Sequence, residues 1–187
     1  RFHRLVRDLS EEFGKDIIFE TEGGETELDK TLIQNLTEPI MHIIRNSIDH
    51  GIESPEERVK LGKPAKGKIT LKAYYSGANV VLTIHDDGRG IDPNMIRDKA
   101  VNKGLIPEDA SYTDKEYLNM IFLPGLSTAQ VITDISGRGV GMDVVKRKIN
   151  EVRGEVDIES DLGVGTAINI KLPLTLSIID GLLVKIN

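Results

Sequence analysis

Two alternating runs, residues 68–75 and 79–86, are separated only by Ser76-Gly77-Ala78. Apolar and polar side chains at a period of two, joined by a short turn containing Gly, specify an antiparallel hairpin. A second hairpin is expected at 155–160 and 166–172, around Gly163 and Gly165. Elsewhere the spacing is helical. Residues 1–13 place Phe2, Leu5, Val6 and Leu9 at helical spacing, with Gly14 as the stop. Residues 15–22 read as a strand closed by Gly23-Gly24. Residues 28–50 are helical, with a break expected near Thr37, which would cap a new helix carrying Pro39 in its first turn. A short helix opens at Ser54-Pro55-Glu56-Glu57 and ends near Gly62, and further helical segments are expected at 93–103, 114–122 and 139–152. Helices that dominate early and a hairpin that returns late indicate an α+β sandwich with a largely antiparallel sheet, not a βαβ series.

Aromatic residues make up only 4% of the chain and Trp is absent, so the core between sheet and helices must be aliphatic. Thirty acidic against 24 basic residues give a net charge of −6, which argues against nucleic acid or an anionic membrane as partner. Without Cys there is no disulfide or thiolate metal site, and a reducing cytoplasm is the expected location. The opening RFHRLVRDLS is a charged helical pattern without the apolar centre of a secretory leader. No Met begins it, so a segment of a longer protein is expected. The apolar stretch 172–186 is interrupted by Pro173, Asp180, Gly181 and Lys185, which suits a last strand leading into a further domain better than a membrane span.

Four constellations carry possible chemistry. In the helix MHIIRNSIDHG, Ile40, Met41, Ile43, Ile44 and Ile48 share one side, while His42, Arg45, Asn46 and Asp49 share the other, with His50 at its edge. That second side is either a solvated face or a site, and Asn and His are poor choices for mere solubility. Next, Asp86 extends the strand row Val80, Leu82, Ile84 and is followed by Asp87-Gly88-Arg89-Gly90-Ile91. A carboxylate in an apolar row needs a donor. The exocyclic amine of adenine would serve, with Gly88 and Gly90 admitting a flat base; a turn in which Asp caps the next helix is the alternative. Third, Ser136-Gly137-Arg138-Gly139-Val140-Gly141-Met142 precedes a helix, where backbone N–H groups can meet phosphate. A dinucleotide fingerprint would need Gly where Met142 stands, and no P-loop is present; a flexible glycine-rich loop is the other reading. Fourth, Gly163-Val164-Gly165-Thr166 in isolation is only a hairpin turn.

Together and in this order these residues resemble the GHKL superfamily of histidine kinases, gyrase-type topoisomerases, Hsp90-type chaperones and MutL-type repair ATPases. The Asn46 helix looks like the N box, Asp86-x-Gly88-x-Gly90 like the first glycine box, and Gly137-x-Gly139-x-Gly141 like the second. His42-x-x-Arg45-Asn46-x-x-Asp49-His50-Gly51, Phe122-Leu123-Pro124-Gly125-x-Ser127-Thr128 and Ser136 to Val145 resemble the chemotaxis-kinase branch. Orthodox histidine kinases place Glu after the N-box His position, whereas Ile43 follows His42 here.

The resemblance implies a Bergerat-type fold, a mixed, mostly antiparallel sheet with helices on one face and a mobile ATP lid at 123–138. Residues 1–13 would be the end of a dimerisation helix, 14–173 the catalytic domain and 174–187 the start of a regulatory domain. ATP and Mg²⁺ are the implied ligands. Asp86 would accept from the adenine amine with Thr166 nearby, and Asn46 would be the side-chain ligand of the metal. Asp49, His50, Gly88, Gly90, Ile91, Ser127, Thr128, Ser136, Gly137, Arg138, Gly139, Val140, Gly141 and Met142 would complete the nucleotide site. His42 would stand near the γ-phosphate as base, with Arg45 or Lys99 balancing charge. The implied partners are a phosphoacceptor His domain, coupling protein, chemoreceptors and a response regulator. None of His3, His42, His50 or His85 sits in an acceptor context. Two other functions stay open: an ATPase doing conformational work, for which Glu38 is the only candidate to activate water, and a non-catalytic docking module.

Overall fold

The computed structural model describes residues 1–126 and 141–174. Five strands form one sheet in the order β1-β2-β3-β5-β4: β1 (Ile17–Glu22), β2 (Gly67–Ser76), β3 (Asn79–Asp86), β4 (Glu155–Asp161) and β5 (Gly165–Pro173). Only β1 and β2 are parallel; the other three pairings are antiparallel. Both expected hairpins are present, and the first closes through Gly77-Ala78, with Gly77 at φ +59°. The helices are α1 (Phe2–Phe13), α2 (Lys30–Asn46), α3 (Pro55–Lys60), α4 (Pro93–Asn102), α5 (Asp114–Asn119) and α6 (Met142–Glu151).

Register puts Val80, Leu82, Ile84 and Asp86 of β3 opposite Leu172, Ile170, Ile168 and Thr166 of β5, all on one face. Leu82, Ile84, Ile168, Ile170 and Leu172 of that row pack with Ile40, Ile43 and Ile44 of α2 and Val145 and Ile149 of α6 in a single core. Val6 and Leu9 of α1 join the same core, and α1 ends at Gly14 in the left-handed conformation, φ +64°. The opposite face is polar. Lys68 pairs with Glu20 at 2.9 Å, and Thr83 Oγ1 donates to Asn169 Oδ1 at 2.9 Å. The sheet is therefore covered on one side only, as an antiparallel sheet permits. Among the described residues no helix is long and apolar enough to cross a membrane.

The expected break near Thr37 does not occur: α2 runs unbroken through Pro39. Proline lacks only the N–H that would have bonded to residue 35, and its buried ring packs into the core, which offsets that loss. Thr37 Oγ1 donates to the Ile33 carbonyl at 2.8 Å and caps nothing. The regular helix also stops earlier than expected, at Asn46, and widens into a π-helical turn, Ser47–Gly51, closed by Ile52 N to the Ser47 carbonyl at 2.8 Å.

Ile170 is fully buried in the middle of β5. Ile170→Ala is expected to cost about 3 kcal/mol, read as a lower midpoint in urea unfolding at unchanged slope.

Candidate nucleotide site

The π-helical turn packs against Asp86. Ser47, its first residue, is buried, and its hydroxyl hydrogen-bonds to the Asp86 carboxylate. The same turn carries Gly51 against that carboxylate: a Cβ there would lie 3.4 Å from Asp86 Oδ2. Asp86 is only 3% exposed, and its Oδ1 accepts from Gly88 N at 3.0 Å. Burial raises its pKa above the ordinary carboxylate value; the Gly88 N–H, the Ser47 hydroxyl and nearby His85 work against that rise, and Asp87 adds to it. The helix that follows is capped by Asp92, whose Oδ1 accepts from Asn94 N at 2.9 Å, so capping does not explain Asp86.

Glycine is required where backbones meet behind the carboxylate. A Cβ on Gly88 would stand 2.2 Å from the Gly51 carbonyl oxygen, and one on Gly165 2.1 Å from the Asp86 carbonyl oxygen. Gly90 has φ +70° and would meet the Asp161 carbonyl at 2.2 Å. Arg89 N donates to the Gly51 carbonyl at 2.9 Å and Ile91 N to Ser160 Oγ at 2.8 Å. Ser160 Oγ also lies 2.8 Å from Thr166 Oγ1, and Thr166 is paired opposite Asp86. The turn after β4, unremarkable as sequence, is thus part of the wall of this site.

Asn46 ends α2 one residue before Ser47. Its Nδ2 donates to Met142 Sδ at 3.2 Å and lies 3.3 Å from His42 Nε2. Met142 opens α6 behind Gly141, and among the described residues no side chain caps that N-terminus, where backbone N–H groups favour an anion. The His42 pKa is lowered by burial and by the Arg45 cation, against the opposing Glu38 carboxylate. Both effects favour the neutral imidazole. Glu38 forms an ion pair with Lys148 of α6.

The remaining predicted residues are more scattered. Arg45 Nη2 lies 4.0 Å from Glu12 of α1, and His50 Nε2 lies 3.3 Å from Asp49 Oδ2 on the π-helical turn. Lys99 is exposed in the last turn of α4, outside the contacts that hold Asp86 and Asn46. Ser127, Thr128, Ser136, Gly137, Arg138, Gly139 and Val140 lie outside the described residues, as do most of 123–138 and all of 175–187. Sequence reasoning missed Ser47, Ser160, Lys15 and the buried charges behind Asp87. Lys15 Nζ donates to the carbonyls of Ile48 and Asp49 at 2.5 and 2.9 Å, which ties down the end of the π-helical turn.

A buried acceptor at a glycine-walled strand end thus lies in one site with Ser47, the residue after Asn46, whose amide stands beside the N-terminus of α6. The profile of the histidine kinase-, DNA gyrase B- and HSP90-like ATPase family matches residues 35–176, and the chain belongs to that family. Within it, the chain is similar from end to end to chemotaxis kinases. It is 55% identical over 185 residues to chemotaxis protein CheA of Borreliella burgdorferi, covering 99% of this chain and 21% of that protein. It is 54% identical to sensor histidine kinase CheAY of Helicobacter pylori and 50% identical to CheA of Bacillus subtilis, covering 100% of this chain and 24% and 28% of theirs. The chain thus spans about a quarter of the length of these relatives. The blue-light activated histidine kinase of Erythrobacter litoralis shares the fold, with TM-score 0.54 at 16% identity over 93% of this chain and 41% of that one.

A carboxyl whose pKa is raised in the folded state binds its proton more tightly folded than unfolded. Stability therefore falls as pH rises between the two pKa values and stays lowered above both. Asp86→Asn removes that cost while keeping an oxygen for the Gly88 N–H. The variant is expected to be more stable than the parent in urea at pH 7, and the difference to vanish as pH falls to about 3.9. Lower stability at pH 7 would show that the ionised carboxylate contributes net stability.

Proposed function

We propose that the chain is the ATP-binding catalytic domain of a chemotaxis histidine kinase, which transfers the γ-phosphoryl group of ATP to a His on a separate domain. The observation that carries this is Asp86, a carboxylate 3% exposed whose known partners leave lone pairs over for one more donor. Adenine supplies that donor through its exocyclic amine, and the backbone contacts at Gly88 and Gly165 hold the carboxylate at the strand end where it can accept.

The donor set also fits a nucleotide's metal. Asn46 offers a single amide oxygen next to the α6 N-terminus, and Mg²⁺ takes one or two protein oxygens and fills its shell with phosphate and water. When bound, the metal neutralises phosphate charge. The chain's own groups do the rest. The first N–H groups of α6 and Gly141 face the phosphates. His42, held neutral, accepts the proton that the acceptor imidazole loses as its nitrogen bonds to the γ-phosphorus and the bond to the β–γ bridging oxygen breaks. Arg45, which already acts on His42, balances charge there; Lys99 is the alternative. Phosphoryl transfer asks mainly for such positioning and neutralisation. With Glu38 engaged by Lys148, activation of water for conformational ATPase work is the weaker reading.

In the whole protein, residues 1–13 would end a dimerisation helix, 14–173 form the catalytic domain, and 174–187 lead to a regulatory domain that meets coupling protein and chemoreceptors. A cytoplasmic location and a response regulator downstream follow from the same reading.

Calorimetric titration of ATP into the 187-residue chain is expected to give micromolar-order affinity, about −8 kcal/mol, strengthened by Mg²⁺ and abolished by Asp86→Asn. Absence of heat from a folded chain would overturn the kinase reading in favour of a docking module.

A further inference from the structure

The turn Asp86-Asp87-Gly88 is gripped from behind by charges almost absent from solvent. Arg58 is 1% exposed and Glu53 3% exposed. Arg58 Nη1 donates to Glu53 Oε1 at 3.2 Å and to the Asp87 carbonyl at 3.1 Å, while Nη2 donates to Asp87 Oδ2 at 2.9 Å. Its Nε donates to the Pro64 carbonyl at 2.7 Å. Lys63 Nζ donates to Glu53 Oε2 at 2.7 Å, to the Asp87 carbonyl at 3.2 Å and to the Gly88 carbonyl at 2.8 Å. The second Asp87 oxygen accepts from Lys68 N at 2.8 Å.

Stability alone does not account for such a cluster, because well-packed apolar side chains stabilise a buried volume as well as an ion network does. The shared carbonyl accounts for it better. The Asp87 carbonyl belongs to the same peptide unit as the Gly88 N–H, and that N–H donates to Asp86 Oδ1 at 3.0 Å. A peptide unit is planar and rigid. Two cations on its oxygen end therefore set the direction of its N–H, and by polarising the unit they strengthen it as a donor.

We propose that Arg58 and Lys63 are positioning residues for nucleobase selection: by gripping the Asp87–Gly88 peptide they hold the Asp86 carboxylate in the orientation that presents its remaining lone pairs to an exocyclic amine. The inference rests on the reading of Asp86 as the adenine acceptor. Neither side chain touches the base. Their loss would blur the distinction between an amino purine and one without the amine, and leave phosphate binding alone.

The test is titration of the 187-residue chain with ATP and with purine riboside triphosphate, which lacks the amine. The proteins compared are the parent, Lys63→Met, Lys63→Arg and Asp86→Asn. Lys63 is the position to change because its side chain is 17% exposed, whereas Arg58 is also part of the core. Lys63→Met is expected to weaken ATP roughly tenfold and to leave the analogue unchanged, so that the preference shrinks, and Lys63→Arg to restore it. If Lys63→Met weakens both nucleotides equally, or neither, Lys63 does not position Asp86 and the proposal falls. Should circular dichroism show Lys63→Met unfolded, Lys63→Gln carries the same comparison. A parent without preference for ATP, or Asp86→Asn retaining it, would locate the failure in the adenine reading itself.

Discussion

A carboxylate at the buried end of β3 is the constraint on which the site depends. Asp86 continues an aliphatic row with a charge; the cost of burying it is offset in part by hydrogen bonds from Ser47 and Gly88, with Gly51 and Gly165 packed close by. These residues come from three separate parts of the chain. The end of α2, the turn after β3 and the start of β5 must therefore be in place together before the carboxylate is tolerable. The glycines are there because backbone, not side chain, has to stand next to the charge. An unliganded domain that carries such a cost, in a place where a ligand could repay it with a hydrogen bond, is built for binding and not for maximal stability.

Much of the architecture was legible because the chain obeys simple periods. The 68–86 hairpin, the helix opening at Ser54-Pro55 and the Gly14 stop are local signals, and all appear as local geometry. The break expected at Thr37 does not occur because α2 continues through Pro39, whose ring is buried, so Thr37 has no new helix to cap. The π-helical turn was invisible for a different reason: widening a helix by one residue changes no period over so short a stretch. Yet that turn carries both Ser47 and Gly51, which stand against Asp86.

Within the site, the residues with their own chemistry were readable and their supports were not. Asp86, Asn46 and His42 stand out as unusual residue types in patterned segments. Arg58 and Lys63, by contrast, sit in PEERVKLGK, which looks like an ordinary solvated helix end. Only the fold brings Arg58 to Asp87, 29 positions away, and buries both Arg58 and Glu53. Sequence separation hides such networks, since neither partner departs from local expectation. The family to which the chain belongs accounts for the order of the motifs, and the network accounts for why the turn between two of them keeps its shape.

The most direct test of the central claim is a crystal structure of the 187-residue chain with a non-hydrolysable ATP analogue and Mg²⁺. The account predicts the adenine amine within about 2.9 Å of an Asp86 carboxylate oxygen, the Asn46 amide oxygen on the metal, and the phosphates at the N-terminus of α6. An adenine bound with its amine turned away from Asp86, or a nucleotide seated elsewhere on the molecule, would contradict it.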